Sequence, residues 1–207
     1  ITDQCIGISE QGISESFPLE GARSLYGSTK LSSELIIQEY AESYGVPSII
    51  NRCGLISGPW QMGKVDQGVI MHCVLSHMLD RPLQYIGYGG EGKQVRDVLH
   101  ISDLCRLIQL QIKQFDLFDR GLFNVGGGLS SSISLKELTH ICEQVTGKKV
   151  PVEKITQNRP NDLIWYITDN SKITTRSGWT PEKSVQDTIT DITRWIHEHS
   201  SSLNSLL

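Results

Sequence analysis

Tyr26-Gly-Ser-Thr-Lys30 opens a long amphipathic run that extends from Leu25 to Tyr44. In a helix, residues four apart lie on one face a single turn from each other, so Tyr26 and Lys30 are predicted to be neighbours. A phenol is a weak base because its pKa is about 10, but a neighbouring ammonium group stabilises the phenolate and lowers that pKa. The pair is therefore a candidate for removing a proton from a hydroxyl group. Taken alone, a tyrosine and a lysine at this spacing are more often a solvated surface pair.

The composition is that of an ordinary globular protein, with 207 residues, of which 38% are hydrophobic and 20% are charged. The net charge of -4 provides no basic surface for nucleic acid. No apolar stretch approaches the length of a membrane span, and Ile1 is not followed by the basic and apolar regions of a signal peptide. The cysteines are scattered and never form Cys-x-x-Cys, which indicates free thiols in a reducing cytoplasm. They are Cys5, Cys53, Cys73, Cys105 and Cys142.

Helical and extended patterns alternate along the chain. Helices are predicted over 26–44, 66–79, 102–114 and about 184–199, and a further helix from the capping box Ser134-Leu-Lys-Glu137 to Gly147. Strands are predicted over 47–53, 83–86, 95–99, 121–125, 150–155 and 163–168, whereas residues 1–24 are expected to be irregular and 200–207 frayed. This alternation predicts an α/β fold with a largely parallel sheet.

Gly87-Tyr-Gly89-Gly-Glu-Gly92 matches the Gly-x-Gly-x-x-Gly pattern of dinucleotide-binding loops. That pattern requires a following helix, whose N-terminal amides hold the pyrophosphate. The segment after Gly92 reads as extended chain, and no acidic residue lies at the expected distance to hold a ribose. We therefore interpret the motif as a glycine-rich loop beside a ligand or as a tight turn, and not as a dinucleotide site.

Other catalytic patterns are weak. The chain has no Gly-x-Ser-x-Gly nucleophile motif. His72 and His77 are five apart, and His197 and His199 are two apart, so neither pair has the spacing of metal ligands on a helix. No metal site is predicted.

The order of short motifs along the chain is more specific than any one of them. After Tyr26-x-x-x-Lys30 the chain carries, in order, Arg52-Cys53-Gly54, Gly58-Pro59, Gly92-Lys-Gln-Val-Arg96-Asp97-Val-Leu-His100 with Asp103, Phe123-Asn-Val-Gly126, Arg159-Pro-Asn-Asp162, Asp169-Asn-Ser-Lys172 and Gly178-Trp-Thr-Pro181. This series resembles the C-terminal part of the extended short-chain dehydrogenase/reductase family, the nucleotide-sugar epimerases and dehydratases. Within the family, Asp66-Gln-Gly68 and the segment 92–100 are most similar to the branch that epimerises CDP-paratose at C2, the CDP-tyvelose epimerases.

The resemblance implies a role for each matching residue. Tyr26 would be the catalytic acid and base, and Lys30 would bind the nicotinamide ribose of NAD and lower the pKa of the tyrosine. The backbone at Cys53 and Gly54 would lie against the nicotinamide. The substrate, a nucleotide-diphosphate sugar, would be held at its diphosphate and ribose by Arg96, Arg159 and Asp162, with Tyr166 nearby.

Two departures from the family pattern matter. The family's glycine-rich turn and the strand carrying its catalytic Ser or Thr do not precede Tyr26, so we expect the chain to be a piece of a longer protein. Many relatives also carry Asn where Leu55 stands.

The fold that the resemblance implies has two parts. One is the C-terminal part of a Rossmann-like parallel sheet, residues 1–63 and 97–126, and the other is a smaller α/β substrate-binding lobe, residues 64–96 and 127–207.

The function implied by the resemblance is that of an isomerase, an NAD-dependent nucleotide-sugar epimerase of the cytoplasm, with the isolated piece inactive. The alternatives are another nucleotide-sugar epimerase, a 4,6-dehydratase, or a non-catalytic nucleotide-sugar-binding module. Relatives commonly dimerise through the tyrosine-bearing helix, so an apolar stripe at Leu31, Leu35 and Ile36 makes a homodimer an expectation.

Overall fold

The computed structural model describes residues 5–21, 24–62, 68–159 and 162–203. Its strands are β1 (Ile8–Ser9), β2 (Gly12–Ile13), β3 (Ile49–Cys53), β4 (Leu55–Ser57), β5 (Leu83–Ile86), β6 (Val95–His100), β7 (Gly121–Val125), β8 (Ser132–Ser134), β9 (Val152–Ile155) and β10 (Trp165–Tyr166). Its helices are α1 (Leu25–Tyr44), α2 (Val69–Met78), α3 (Ile101–Lys113), α4 (Phe115–Phe118), α5 (Leu135–Thr146), α6 (Ser171–Ser177), α7 (Val185–Glu198) and α8 (Ser200–Leu203). None of the described helices is long and apolar enough to cross a bilayer.

Parallel strand pairs dominate, which confirms the predicted α/β class. β3 pairs in parallel with β7 along its whole length, and β4 pairs in parallel with β6. β6 also pairs in parallel with β10 and antiparallel with β8, while β5 and β9 form a separate parallel pair. Ligands of open parallel sheets bind outside the carboxyl ends of the strands. Gly54 and Gly126, which follow β3 and β7, lie at such an edge.

Local capping signals set the ends of the long helices. The side chain of Ser24 accepts a hydrogen bond from the backbone N–H of Gly27 at the start of α1, and Gly45 ends that helix with a φ of 66°. At α5, the predicted capping box is present between Ser134 and Glu137, and Gly147 closes the helix. These elements therefore begin and end where the sequence indicates.

Several elements were not predicted, including α8 (Ser200–Leu203) in the segment expected to be frayed, and two of them are held by distant parts of the chain. The segment before α1, expected to be irregular, contains the small antiparallel hairpin β1–β2. Long-range bonds hold it, because the Glu15 carboxylate accepts from the backbone N–H of Asn124 at 2.6 Å and the Asn124 side chain donates to the Ile13 carbonyl. The second difference is α6, a seven-residue helix too short to show a helical period.

The segment 87–92 forms a tight turn followed by β6, so no helix follows the glycine-rich motif. This confirms the rejection of a dinucleotide loop. Gly87, Tyr88, Gly89 and Gly90 all have positive φ, a conformation that glycine adopts without strain and tyrosine seldom adopts. The glycines are thus required by the shape of the turn.

The described residues form two hydrophobic clusters. One joins α2, α5 and α7, with Val98 from β6, and the other joins β6, β7 and α3. Ile173 and Trp179, which lie in the predicted substrate lobe, pack in the second cluster with Leu99 and Phe123. The boundary predicted at residue 63 falls outside the described residues, as do Asp66 and Gln67, and the two-lobe division stays a prediction.

Candidate functional site

A cavity of about 430 Å³ lies between α2, β5, the start of β6 and the first turns of α5. It is lined by both apolar and polar side chains, which suits a ligand with an apolar part and a charged part. Apolar side chains of the lining include those of Leu55, Val69, Ile70, Leu83, Ile86, Leu135 and Leu138, and polar ones include those of Gln84, Gln94, Arg96, Arg159 and Asp162.

Arg96 is held in place by three acceptors. Its Nη2 donates to the Asp162 carboxylate at 3.0 Å and to the Leu163 carbonyl at 2.7 Å, and its Nη1 donates to the Val95 carbonyl at 2.7 Å. Both charged side chains are partly buried. The structure therefore brings together Arg96 and Asp162, which the sequence places far apart.

Arg159 lines the same cavity. The segment around it is fixed to the glycine-rich turn through Tyr88: the Tyr88 backbone N–H donates to the Asn158 side chain at 2.7 Å, and the Tyr88 hydroxyl donates to the Asp162 carbonyl at 2.6 Å. All three substrate-site residues implied by the diphosphate assignment thus face one space. Tyr88 is a positioning residue that the sequence analysis missed.

Tyr166 is not among the side chains that line the cavity. It lies in β10 directly opposite Arg96, and burial raises the pKa of its phenol, with the nearby Asp97 carboxylate adding to the increase. Asp97 is fully buried, and its Oδ2 accepts from the backbone N–H of Gly128 at 3.0 Å. Since successive side chains of a strand point to opposite faces, the side chains of Arg96 and Asp97 lie on opposite faces of the sheet.

Tyr26 and Lys30 lie one turn apart on α1, as predicted. The Lys30 Nζ is 5.7 Å from the centre of the Tyr26 ring, and Tyr26 is 72% exposed. Lys30 also lies close enough to the carboxyl end of β3 to affect Cys53. Burial raises the pKa of the Cys53 thiol, and the positive charge of Lys30 partly offsets this by lowering that pKa. The tyrosine–lysine pair and the Cys53-Gly54 segment therefore belong to one region of the surface.

A forked ion pair fixes α1 against β3. Arg52 donates from Nε to one Glu34 oxygen at 2.9 Å and from Nη2 to the other at 2.7 Å. This pair locates the helix that carries Tyr26 relative to Cys53 and Gly54. Two residues after Cys53, Leu55 lines the cavity, so the two regions adjoin at this strand.

Cys73, His77 and Cys142 form a buried cluster that the sequence analysis did not predict. The pKa of Cys73 is lowered to about 6, chiefly by a hydrogen bond from the Cys142 thiol, and the pKa of Cys142 is raised. Cys73 and His77 are four residues apart on α2, so the sequence alone could have predicted that these two side chains lie on one face of the helix. Cys142 lies on α5, and no spacing connects it with the other two.

The family model for GDP-mannose 4,6 dehydratase matches residues 2–192. The chain belongs to the nucleotide-sugar epimerase and dehydratase family of extended short-chain dehydrogenases/reductases. CDP-paratose 2-epimerase of Salmonella typhi is 28% identical over 189 residues, which are 89% of this chain and 54% of that protein. UDP-glucose 4-epimerase of Corynebacterium glutamicum is 28% identical over 192 residues, which are 86% of this chain and 56% of that protein.

A solved structure with NAD bound, the dTDP-glucose 4,6-dehydratase DesIV from Streptomyces venezuelae, matches with a TM-score of 0.79. It is 29% identical, and the match covers 98% of this chain and 59% of that one. This likeness confirms the Rossmann-like fold. The chain spans little more than half the length of these relatives.

Proposed function

We propose that the complete protein is an NAD-dependent nucleotide-sugar epimerase that acts on CDP-paratose at C2. The observation that carries this proposal is the convergence of Arg96, Arg159 and Asp162 on one cavity that is also lined by many apolar side chains. The similarity to CDP-paratose 2-epimerase supports the choice of sugar and nucleotide.

The cavity has the chemistry that a nucleoside diphosphate requires. Arginine makes forked, charge-assisted hydrogen bonds to phosphate oxygens, which suits Arg96 and Arg159. The apolar wall formed by α2, β5 and α5 would stack against the base, and Gln84 and Gln94 offer amide groups for its polar edge. Asp162 would accept from a ribose hydroxyl while it also orients Arg96.

NAD is the cofactor that the family implies, and the residues present fit part of it. A Cβ at position 54 would lie 3.0 Å from the Thr168 Oγ1, so a side chain there would be crowded, and the bare backbone of Gly54 is what the proposal places against the nicotinamide. When bound, NAD would supply the exchange of hydride with the sugar carbon. Lys30 would donate to ribose hydroxyls, and Tyr26 would take and return the proton of the sugar hydroxyl at its phenol oxygen.

The homodimer remains part of the proposal. Leu35 and Ile36 on α1, the helix that carries Tyr26, are each 58% exposed. Such exposed apolar side chains on a helix mark a candidate contact with a second copy.

Nucleotide binding by the 207-residue chain tests the cavity assignment. Calorimetric titration with CDP should detect binding, and Arg96→Met or Arg159→Met should weaken it by roughly ten- to a hundredfold, since a charged hydrogen bond contributes about 1.5–3 kcal/mol. Arg194→Met is the matched control, because Arg194 is exposed and pairs with Asp191 away from the cavity. Equal affinities for all variants would refute the assignment.

Turnover of CDP-paratose by the complete protein tests the reaction. Proton NMR of the product should show inversion at C2 with no loss of water. Loss of water would identify a dehydratase, and CDP-paratose binding without turnover would identify a non-catalytic module.

A further inference from the structure

Two helices that pack against each other bring three metal-binding side chains together. Cys73 and His77 lie one turn apart on α2, and Cys142 faces them from α5. All three are buried, with exposed fractions of 1%, 0% and 0% in that order. One ligand atom from each residue, a ring nitrogen in the case of His77, lies within 4.8 Å of the other two.

We propose that Cys73, His77 and Cys142 bind one Zn²⁺ ion. Two sulfurs on a tetrahedral zinc lie about 3.8 Å apart, given a Zn–S distance of about 2.3 Å. The observed separations are close enough that small side-chain rotations on two fixed helices would bring the donors to these distances. Two thiolates and one imidazole are also the donor types that zinc prefers among protein side chains.

The hydrogen bonds of His77 leave one ring nitrogen for a ligand. Nδ1 lies 2.7 Å from the Cys73 carbonyl, which can only accept, so this nitrogen carries the proton and donates. The lone pair is then on Nε2, which is buried and has no hydrogen-bond partner among the described residues. Buried polar atoms are nearly always partnered. A histidine that binds a metal with one nitrogen commonly donates from the other to a carbonyl, as His77 does.

Charge balance favours a divalent ion. Two thiolates, a neutral imidazole and Zn²⁺ carry no net charge, which suits a site inside a hydrophobic cluster where an unbalanced charge is costly. A monovalent ion with the same ligands would leave one negative charge in the core formed around Ile70, Leu138 and Ile189.

The cavity described above gives access to the site, because Cys73 is among its lining residues. The Thr139 hydroxyl on α5 already accepts from Tyr85 at 2.8 Å and donates to the Leu135 carbonyl at 2.9 Å. In the proposal, a water molecule from the cavity would complete the tetrahedron. The ion would join α2 to α5 directly behind the apolar wall of the cavity.

Zinc binding by the reduced, metal-free chain tests the proposal. Titration against a chromophoric chelator of known affinity should show one zinc ion per chain. Cys73→Ala and Cys142→Ala should each weaken binding by more than the roughly 10–100-fold that loss of an outer-shell partner costs. Cys105→Ala is the matched control, since Cys105 is an exposed free thiol outside the cluster.

A measurement on the unaltered chain covers the case in which the core variants do not fold. Zinc should slow alkylation of Cys73 and Cys142, identified by peptide mass spectrometry, and leave Cys53 and Cys105 unchanged. The proposal is overturned if the chain does not compete with the chelator for zinc, if the alanine variants bind as the control does, or if the protected thiols are others. Recovery of Cys73 and Cys142 as a disulfide in the presence of reductant would equally overturn it.

Discussion

Arg96 and Asp162 form an ion pair at the edge of the 430 Å³ cavity, with Nη2 3.0 Å from Oδ1. The carboxylate occupies a donor that a diphosphate would otherwise use. Two backbone carbonyls, of Val95 and Leu163, hold the same guanidinium, so it stays in place when the carboxylate is lost. With the proposed nucleotide bound, Asp162 would therefore both compete with a phosphate for Arg96 and offer an acceptor to a ribose.

Asp162→Asn should separate these two effects. Inorganic pyrophosphate, which has no ribose, should bind up to about fivefold more tightly, since a partly exposed ion pair is worth about 0.2–1 kcal/mol. CDP should gain less, because the ribose loses a charged acceptor. Calorimetry with both ligands measures the ratio. Glu91→Gln, which breaks the exposed Glu91–Lys154 pair, is the control and should change neither affinity. An identical change for CDP and pyrophosphate would exclude the ribose contact.

Arg52→Lys should destabilise the chain by about 1 kcal/mol, because lysine cannot make the forked contact that Arg52 makes with Glu34. The pair is 22% and 16% exposed, so water screens it only in part. Urea unfolding gives the free energy. The control is Glu42→Gln in the Arg120–Glu42 pair, which is 53% and 80% exposed and should contribute nothing measurable. If both variants lose the same stability, the fork has no special role.

Stability should fall as the pH is lowered below about 6.5, in part because of His100. Burial lowers the pKa of His100, and the Asp191 carboxylate opposes that shift only partly. The unfolded chain therefore takes up the proton first, and the stabilisation present above about pH 6.5 is lost as the pH falls toward the folded pKa. The structural reason is that Nδ1 accepts from the backbone N–H of Ser102 at 3.1 Å and caps α3, which a protonated ring cannot do.

The His100→Asn variant tests this effect, since asparagine caps helices without titrating in this range. Its melting temperature should vary less than that of the unaltered chain between pH 7.5 and about 5.5. His140→Asn is the matched control, because His140 is exposed, and it should retain the full pH dependence. A His100→Asn profile parallel to that of the unaltered chain would count against the assignment.

Tyr26→Phe should abolish turnover in the complete protein while the affinity for CDP stays the same. The change removes one oxygen from α1 and leaves the cavity untouched, because Tyr26 is not among its lining residues. Steady-state kinetics and CDP titration give the two quantities. Tyr40→Phe, on the same helix and 55% exposed, is the control and should remain active. Normal turnover by the Tyr26→Phe variant would show that another group is the base.

Much of the fold could be predicted because its signals are local. Capping residues and hydrophobic periods gave α1, α5 and α7 nearly to the residue. The β1–β2 hairpin was missed because contacts more than a hundred positions away hold it, as the 109-residue separation of Glu15 and Asn124 shows. α6 was missed because seven residues do not establish a period, and its burial depends on Ile173 reaching a distant cluster.

The candidate site was only partly accessible to the same reasoning. Arg96, Arg159 and Asp162 could be grouped through the family resemblance, since no spacing rule connects them. Nothing in the sequence indicated that Tyr88 fixes the arginine segment, because its contacts depend on a backbone turn with positive φ. Tyr166 was placed near the substrate through the resemblance alone; it is not among the residues that line the cavity, and its role stays a prediction.

The anchoring of Asn158 and Asp162 on the turn 87–92 has a consequence for how the protein can diversify. Tyr88 ties Asn158 and Asp162 to a loop, whereas Arg52 and Glu34 tie the tyrosine-bearing helix to the sheet. The two anchors share no residue. Under the proposed function, substitutions in the turn would therefore change how the nucleotide is held without displacing the helix that carries Tyr26.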